Sequence, residues 1–125
     1  MSKRLDICNL ALLKLGERPI ESMDGESAAA ILARTLFPSV ARALLSSYDW
    51  RFPHASEHKA EKWPDYFANA VSMKLAEEFC IPLCDNATMM RTLRDLAKDE
   101  LKTAKLADIR GGSGIKNFSL IDQRF

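Results

Sequence analysis

Apolar residues follow a helical pattern along nearly the whole chain. Near the N-terminus they recur every three or four positions, at Leu5, Cys8, Leu12 and Leu15. This spacing predicts a first helix, with Ser2 as its N-cap and Gly16 as the residue that ends it. The stretch "ERPIESMDGES" that follows contains Pro19, Asp24 and Gly25, which predict a loop.

A second helix is predicted from about Ser27 to Tyr48. Its polar residues form one narrow stripe, made of Thr35, Ser39, Arg42 and Ser46. Most of its circumference is apolar, so we expect most of it to be buried. Pro38 removes one backbone hydrogen bond and clashes with the preceding turn, which predicts a kink or two abutting helices.

Two further helices complete the predicted domain. A connection with two prolines leads to Pro64, the first position of a third helix that we expect to end near Ile81, before Pro82. One ridge of this helix is apolar: Phe67, Val71, Leu75 and Phe79. A second ridge contains Tyr66, Ala70, Met73 and Cys80.

A fourth helix is predicted from a cap at Asp85 or Asn86 to about Arg110. Its seam is Met90, Leu93, Ala97, Leu101 and Ala104, with charges elsewhere. Together these patterns predict an all-α, four-helix bundle-like domain over residues 1–110, with a kinked second helix. Residues 111–125 are predicted to form an extended C-terminal tail.

The predicted tail has an unusual composition for a chain end. Three glycines form a hinge, at Gly111, Gly112 and Gly114. Apolar residues follow, at Ile115, Phe118, Leu120, Ile121 and Phe125. Free termini are normally polar, because apolar side chains that reach no core gain nothing by being ordered. We therefore expect another molecule to bury this tail, and a disordered tail is the alternative.

Composition narrows the possible functions. The chain has 125 residues, of which 47% are hydrophobic, and this size is typical of one domain. No apolar run approaches the length of about 20 residues that spans a membrane, and "MSKRLD" lacks a signal-peptide core. A formal net charge of +1 gives little support for direct DNA binding.

We predict no catalytic site, cofactor or metal. The segment "HASEH" places His54, Glu57 and His58 in the order of inverted zinc peptidases, but within a short polar connection. The same histidines could join Cys80 and Cys84 in a zinc site, and this zinc-binding protein is an alternative. Buried, uncharged cysteines at an apolar helix end are the competing interpretation.

The segment "WRF" is a candidate for packing or assembly. Trp50 and Phe52 flank Arg51, and two large aromatic residues at a helix end either fill the core or anchor an interface. We expect them to fill the core. Arg51 points away from its neighbours in an extended segment, which makes it the better interface candidate.

The order of these motifs resembles the head-tail connector (adaptor) proteins of tailed bacteriophages, prophages and gene transfer agents. This family includes podovirus tail tubular protein A. The resemblance lies in "ALLKLG", "PIESM", "SAAA", the Phe37–Pro38 pair inside the second helix, and "WRF", which cover residues 9–52 in the family's order. Family positions with structural or interface roles correspond to Leu15, Gly16, Pro19, Ile20, Pro38, Trp50, Arg51 and Phe52.

The resemblance implies assembly in a virion rather than catalysis. Family members form a ring, usually a dodecamer, beneath the portal protein, where neighbouring copies continue the DNA channel without sequence-specific binding. The ring also offers a platform for the next tail or stopper protein. The C-terminal segments of the family dock on the portal, so the implied docking arm is Ile115, Phe118, Leu120, Ile121, Arg124 and Phe125.

One departure from the family pattern concerns the connection after "WRF". Tail tubular members carry an inserted segment with strands there, whereas only a short connection joins Phe52 to Trp63 in this chain. The chain is therefore more similar to the compact adaptors. A small helical regulatory or interaction module remains the alternative from a different functional class.

Overall fold

The computed structural model describes residues 3–52 and 60–111, and over these residues the protein is all-helical. The helices are α1 (Lys3–Lys14), α2 (Ala28–Ser46), α3 (Asp65–Cys84) and α4 (Ala87–Gly111), with a short 3₁₀ turn at Ala60–Lys62. No strand occurs in these two ranges. The predicted all-α class and the number of α-helices are confirmed, and the 3₁₀ turn was not predicted.

The core is organised around α3. This helix packs against each of the other three, and its predicted ridge of Phe67, Val71, Leu75 and Phe79 is fully buried. Lys3 Nζ lies 3.2 Å from Asp65 Oδ1 at the start of α3, and Cys84 Sγ lies 3.9 Å from Glu17 Oε2 at its end, so α1 runs parallel to α3. The helix α4 runs antiparallel to α3, because Asp108 near its end contacts Tyr66 near the start of α3.

Hydrogen bonds confirm the predicted C-terminal end of α1 and the predicted N-cap of α2. Gly16 has φ of +79°, a conformation that residues with a side chain rarely adopt, and its N–H donates to the Leu13 carbonyl at 3.0 Å. At the start of α2, Ser27 Oγ accepts from the Ala30 N–H at 3.1 Å. The predicted N-cap Ser2 lies outside the described residues.

Both internal prolines are tolerated better than predicted. The helix α2 is continuous through Pro38, so the alternative of two abutting helices is wrong. Fully buried Phe37 and Ala41 hold both sides of Pro38 in the core, and this packing offsets one missing backbone hydrogen bond. The predicted kink stays a prediction.

The predicted end of α3 at Ile81 is also wrong. The helix continues through Pro82 to Cys84 and ends where Asp85 takes a left-handed conformation, with φ of 48°. The Asp85 N–H donates to the Cys80 and Ile81 carbonyls, so Asp85 closes α3. Of the two predicted caps of α4, Asn86 is the N-cap, since its Oδ1 accepts a hydrogen bond from the Met89 N–H at 2.9 Å.

The helix α2 is less buried than its apolar pattern predicts. The predicted polar stripe is exposed, but Ile31 is also 45% exposed, which leaves a wider face open to solvent. By length and composition alone α2 is apolar enough to cross a membrane, with a mean hydropathy of 1.4. A core helix of a water-soluble domain meets the same criteria, and α2 buries Ala33, Phe37 and Ala41 in the core.

Candidate assembly interface

A buried carboxylate joins three separate parts of the chain at one end of the domain. Asp108 of α4 is fully buried. Its Oδ2 accepts from the backbone N–H of Arg51 at 2.8 Å, and its Oδ1 accepts from the Tyr66 hydroxyl at 2.6 Å. Asp108 therefore fastens the end of α4 to the segment after α2 and to the start of α3.

The Tyr66 hydroxyl stays protonated and donates its hydrogen bond to Asp108. Burial raises the pKa of Tyr66, and the hydrogen bond and negative charge of Asp108 raise it further. The phenol therefore keeps its proton across the physiological pH range. A buried carboxylate requires hydrogen-bond donors, and the Tyr66 hydroxyl is one of the two donors to Asp108.

An aromatic cluster surrounds this carboxylate. Trp50 is 8% exposed and its indole Nε1 donates to the Leu44 carbonyl at 2.9 Å, so its predicted burial is confirmed. The Trp50 ring meets the Phe67 ring edge to face at 4.9 Å, and Phe52 lies 5.1 Å from the same ring. Arg51, between them in sequence, is exposed. The alternation predicted for "WRF" is thus present, with the aromatic residues inward and Arg51 outward.

The loop between α1 and α2 is held rigidly by side chains of both helices. Asn9 forms a pair of hydrogen bonds with the backbone of Ile20, from Nδ2 to the carbonyl at 3.0 Å and from the Ile20 N–H to Oδ1 at 2.8 Å. Arg34 Nη1 donates to the carbonyls of Met23 and Gly25, at 3.2 and 2.6 Å. These bonds preform the loop that contains the "PIESM" motif.

A groove runs along α4, bordered in its smaller part by α3 and the end of α2 and lined in its larger part by α4 alone. It consists of two adjoining hollows of about 170 and 370 Å³, which share Lys98 and Leu101. Leu44 and Ala97 line the smaller one. The groove also contains Glu77, 7% exposed, whose carboxylate lies 3.0 Å from Lys74 Nζ and 3.4 Å from Arg94 Nε. We call these two hollows the α4 groove.

Cys8 and Cys80 are buried in the core, and Cys84 is half-buried at the end of α3. Burial raises the pKa of Cys8 to about 12. The pKa of Cys84 is also raised, mainly by burial and to a smaller extent by the neighbouring Cys80 and Glu17. The residues 3–52 and 60–111 contain no group of three or more side chains suited to a metal. His54 and His58, the other half of the zinc alternative, lie outside these ranges.

The comparison with known proteins agrees with the order of the sequence motifs. A family model for tail tubular proteins matches residues 5–104, which include α2, α3 and most of α1 and α4. The chain belongs to the tail tubular protein family. No curated protein and no solved structure matches it. Tail tubular proteins are structural components of phage tails, so membership of the family favours a structural, non-enzymatic role in a virion.

The structure places the tail tubular motif residues in two groups. Leu15 is buried and Gly16 ends α1, while Pro19 and Ile20 lie in the loop fastened by Asn9. The second group comprises Trp50, Arg51 and Phe52 at the Asp108 end of the domain, and Pro38 lies within α2 between the two groups.

The predicted docking arm begins at the same end of the domain as Asp108. Gly111 is the last residue of α4. The other hinge residues and the arm fall outside the described residues: Gly112, Gly114, Ile115, Phe118, Leu120, Ile121, Arg124 and Phe125. Their role therefore stays a prediction.

Two residues with important contacts were missed by the sequence analysis. Asp108 continues the apolar seam of Ala97, Leu101 and Ala104, and an acid at a seam position is a signal of a buried, paired carboxylate. Asn9 has no comparable signal, because an Asn within a helix pattern is ordinarily a solvent-facing residue.

Proposed function

We propose that the chain is a head-tail connector (adaptor) subunit that forms a dodecameric ring beneath the portal vertex of a phage or phage-like particle. The ring extends the DNA channel and provides a platform for the next tail or stopper protein. The match of the tail tubular family model over residues 5–104 is the observation that carries this proposal. No feature of the described residues favours the regulatory module or the zinc-binding alternative.

The C-terminal arm supplies the contact with the portal protein in this proposal. The helix α4 is fastened by Asp108 three residues before its end, so the arm leaves from a fixed point. The 15 residues from 111 to 125 can reach roughly 50 Å when extended. Burying two or three of the arm's large apolar side chains contributes several kcal/mol per subunit, at about 25 cal/mol per Å² of apolar surface.

Ring geometry strengthens this contact. Once one arm is seated, the arms of neighbouring subunits bind at high effective concentration, so a weak single contact gives a stable ring. The Gly111, Gly112 and Gly114 hinge lets each arm leave the helical domain at the angle that its groove on the portal requires.

Truncation after Arg110 tests this function. We expect the shortened chain to keep its helix content and its thermal unfolding midpoint, because Asp108 and the core are retained, and to lose portal binding in a pull-down. A full-length variant with Phe118→Ser, Leu120→Ser and Ile121→Ser should show the same loss. Unfolding of the truncated chain would make the arm a part of the core, and portal binding at full strength would place the docking surface on the helices.

A further inference from the structure

The α4 groove has an excess of positive charge. Its lining cations are Lys74, Arg94, Lys98, Lys102 and Lys105. Three acids, Glu77, Asp95 and Asp99, also line it, but Glu77 is already paired with two of the cations. Lys98 and Lys102 are exposed, and their spacing of four residues places them on one side of α4.

The floor of the groove is apolar. Leu44 and Ala97 are buried and Leu101 is half-buried, so a partner seated between the lysines would also cover apolar surface. Lys74, Arg94 and Lys98 therefore border a hollow between α4, α3 and the end of α2, and Lys102 and Lys105 continue this positive charge along α4. Such a surface fits a protruding element with acids on its outside.

The chain contains an element of this kind in the loop between α1 and α2. Residues 17–26 include four acids and one cation: Glu17, Glu21, Asp24, Glu26 and Arg18. The side chains of Glu21, Asp24 and Glu26 are exposed. We call this segment the acidic loop. Its hydrogen bonds to Asn9 and Arg34 hold it in one shape, so little conformational entropy is lost when it docks.

The two surfaces belong to different parts of the domain. The acidic loop is fastened to α1 and α2, whereas the lysines of the groove are on α4, and α1 and α4 pack on α3 without extensive contact with each other. Among the ion pairs of the described residues, none joins the acidic loop to the α4 groove. Among the described residues, the acids of the loop are therefore not neutralised by the cations of the groove.

We propose that the acidic loop of one copy docks in the α4 groove of the next copy. Two different, complementary surfaces on one chain give a head-to-tail contact, and repeated head-to-tail contacts close into a ring when the rotation permits. This contact rests on the proposed connector function, since it supplies the lateral interface of the ring.

A second copy fits the groove better than a nucleic acid does. Asp95 and Asp99 beside the lysines would repel a continuous row of phosphates. A loop in which Arg18 accompanies the acids can place its own cation near them. Mixed charge on both surfaces therefore favours a protein partner and fixes the register of the contact.

Charge reversal on each surface tests the contact. The loop variant carries Glu21→Lys and Asp24→Lys, and the groove variant carries Lys98→Glu and Lys102→Glu, both in the full chain. Sedimentation velocity at an ionic strength of about 10 mM should show self-association of the wild type and more than about tenfold weaker association of each variant alone.

An equimolar mixture of the two variants should associate again, because each mutated surface then meets its complement. Raising the ionic strength to about 150 mM should weaken the wild-type contact.

A matched control separates this contact from a general charge effect. Lys14→Glu with Lys62→Glu makes the same change in net charge as the groove variant, at exposed positions outside both surfaces, and it should associate like the wild type. Failure of the mixture to associate, or equal weakening by the control, would overturn the proposal. Loss of duplex DNA binding by the groove variant, with self-association unchanged, would assign the groove to nucleic acid instead. A wild type that stays monomeric would overturn this contact but not the connector function, which the arm truncation tests separately.

Discussion

Replacing Asp108 should destabilise the domain more than replacing any exposed acid of α4. The Asp108→Ala change leaves the Arg51 N–H and the Tyr66 hydroxyl without their acceptor. Hydrogen bonds to a charged group contribute about 1.5–3 kcal/mol each, so the two bonds together contribute about 3–6 kcal/mol. Removing the carboxylate also removes the cost of burying it, which places the expected loss near the lower limit, at about 3 kcal/mol.

Urea unfolding followed by tryptophan fluorescence and circular dichroism measures this loss. Tyr66→Phe removes one of the two bonds and should lower the free energy of unfolding by about 1.5 kcal/mol. Adding Tyr66→Phe to Asp108→Ala should cost little more, because the two residues share one contact. The control is Asp99→Ala, an exposed acid on the same helix, with an expected effect within about 0.5 kcal/mol. Equal stabilities for Asp108→Ala and Asp99→Ala would refute the assignment of Asp108 as the residue that fastens α4.

Three further variants test the packing of Trp50, the end of α1 and the role of the two histidines. Trp50→Ala should lower the free energy of unfolding by about 3–5 kcal/mol in the same urea assay, and a readily quenched indole in the wild type would contradict its burial. Gly16→Ala should cost about 1–2 kcal/mol from backbone strain alone, since among the described residues no atom beyond its chain neighbours lies within 4 Å of the added carbon, and an unchanged midpoint would be inconsistent with φ of +79°. His54→Ala with His58→Ala should change stability by no more than about 0.5 kcal/mol, and zinc in purified wild type that the double variant lacks would revive the zinc alternative.

Local patterns predicted the helices because each helix buries one continuous face. The ridge of α3 is apolar at every fourth position, and all four of its residues are fully buried. The error at Pro82 has a physical cause, since a proline weakens a helix by an amount that tertiary packing can offset. Phe79 and Cys80, both fully buried, hold the last turn of α3 in the core. A local pattern does not contain this compensation.

The contacts at the candidate interface could be predicted only in part. The position of Asp108 on the seam of α4 is a sequence signal that was missed, and its partners Arg51 and Tyr66 are 57 and 42 residues away in sequence. No periodic pattern specifies such a pairing. The α4 groove could not be predicted either. Its smaller hollow forms because Leu44 at the end of α2 lies beside Ala97 of α4 in the folded domain.

Electron microscopy of the full chain mixed with the portal protein of the same phage tests the connector function most directly. We expect a closed ring of copies on the tail side of the portal, with residues 111–125 extended over the portal surface. Portal particles without added density, in the presence of folded and excess chain, would contradict it.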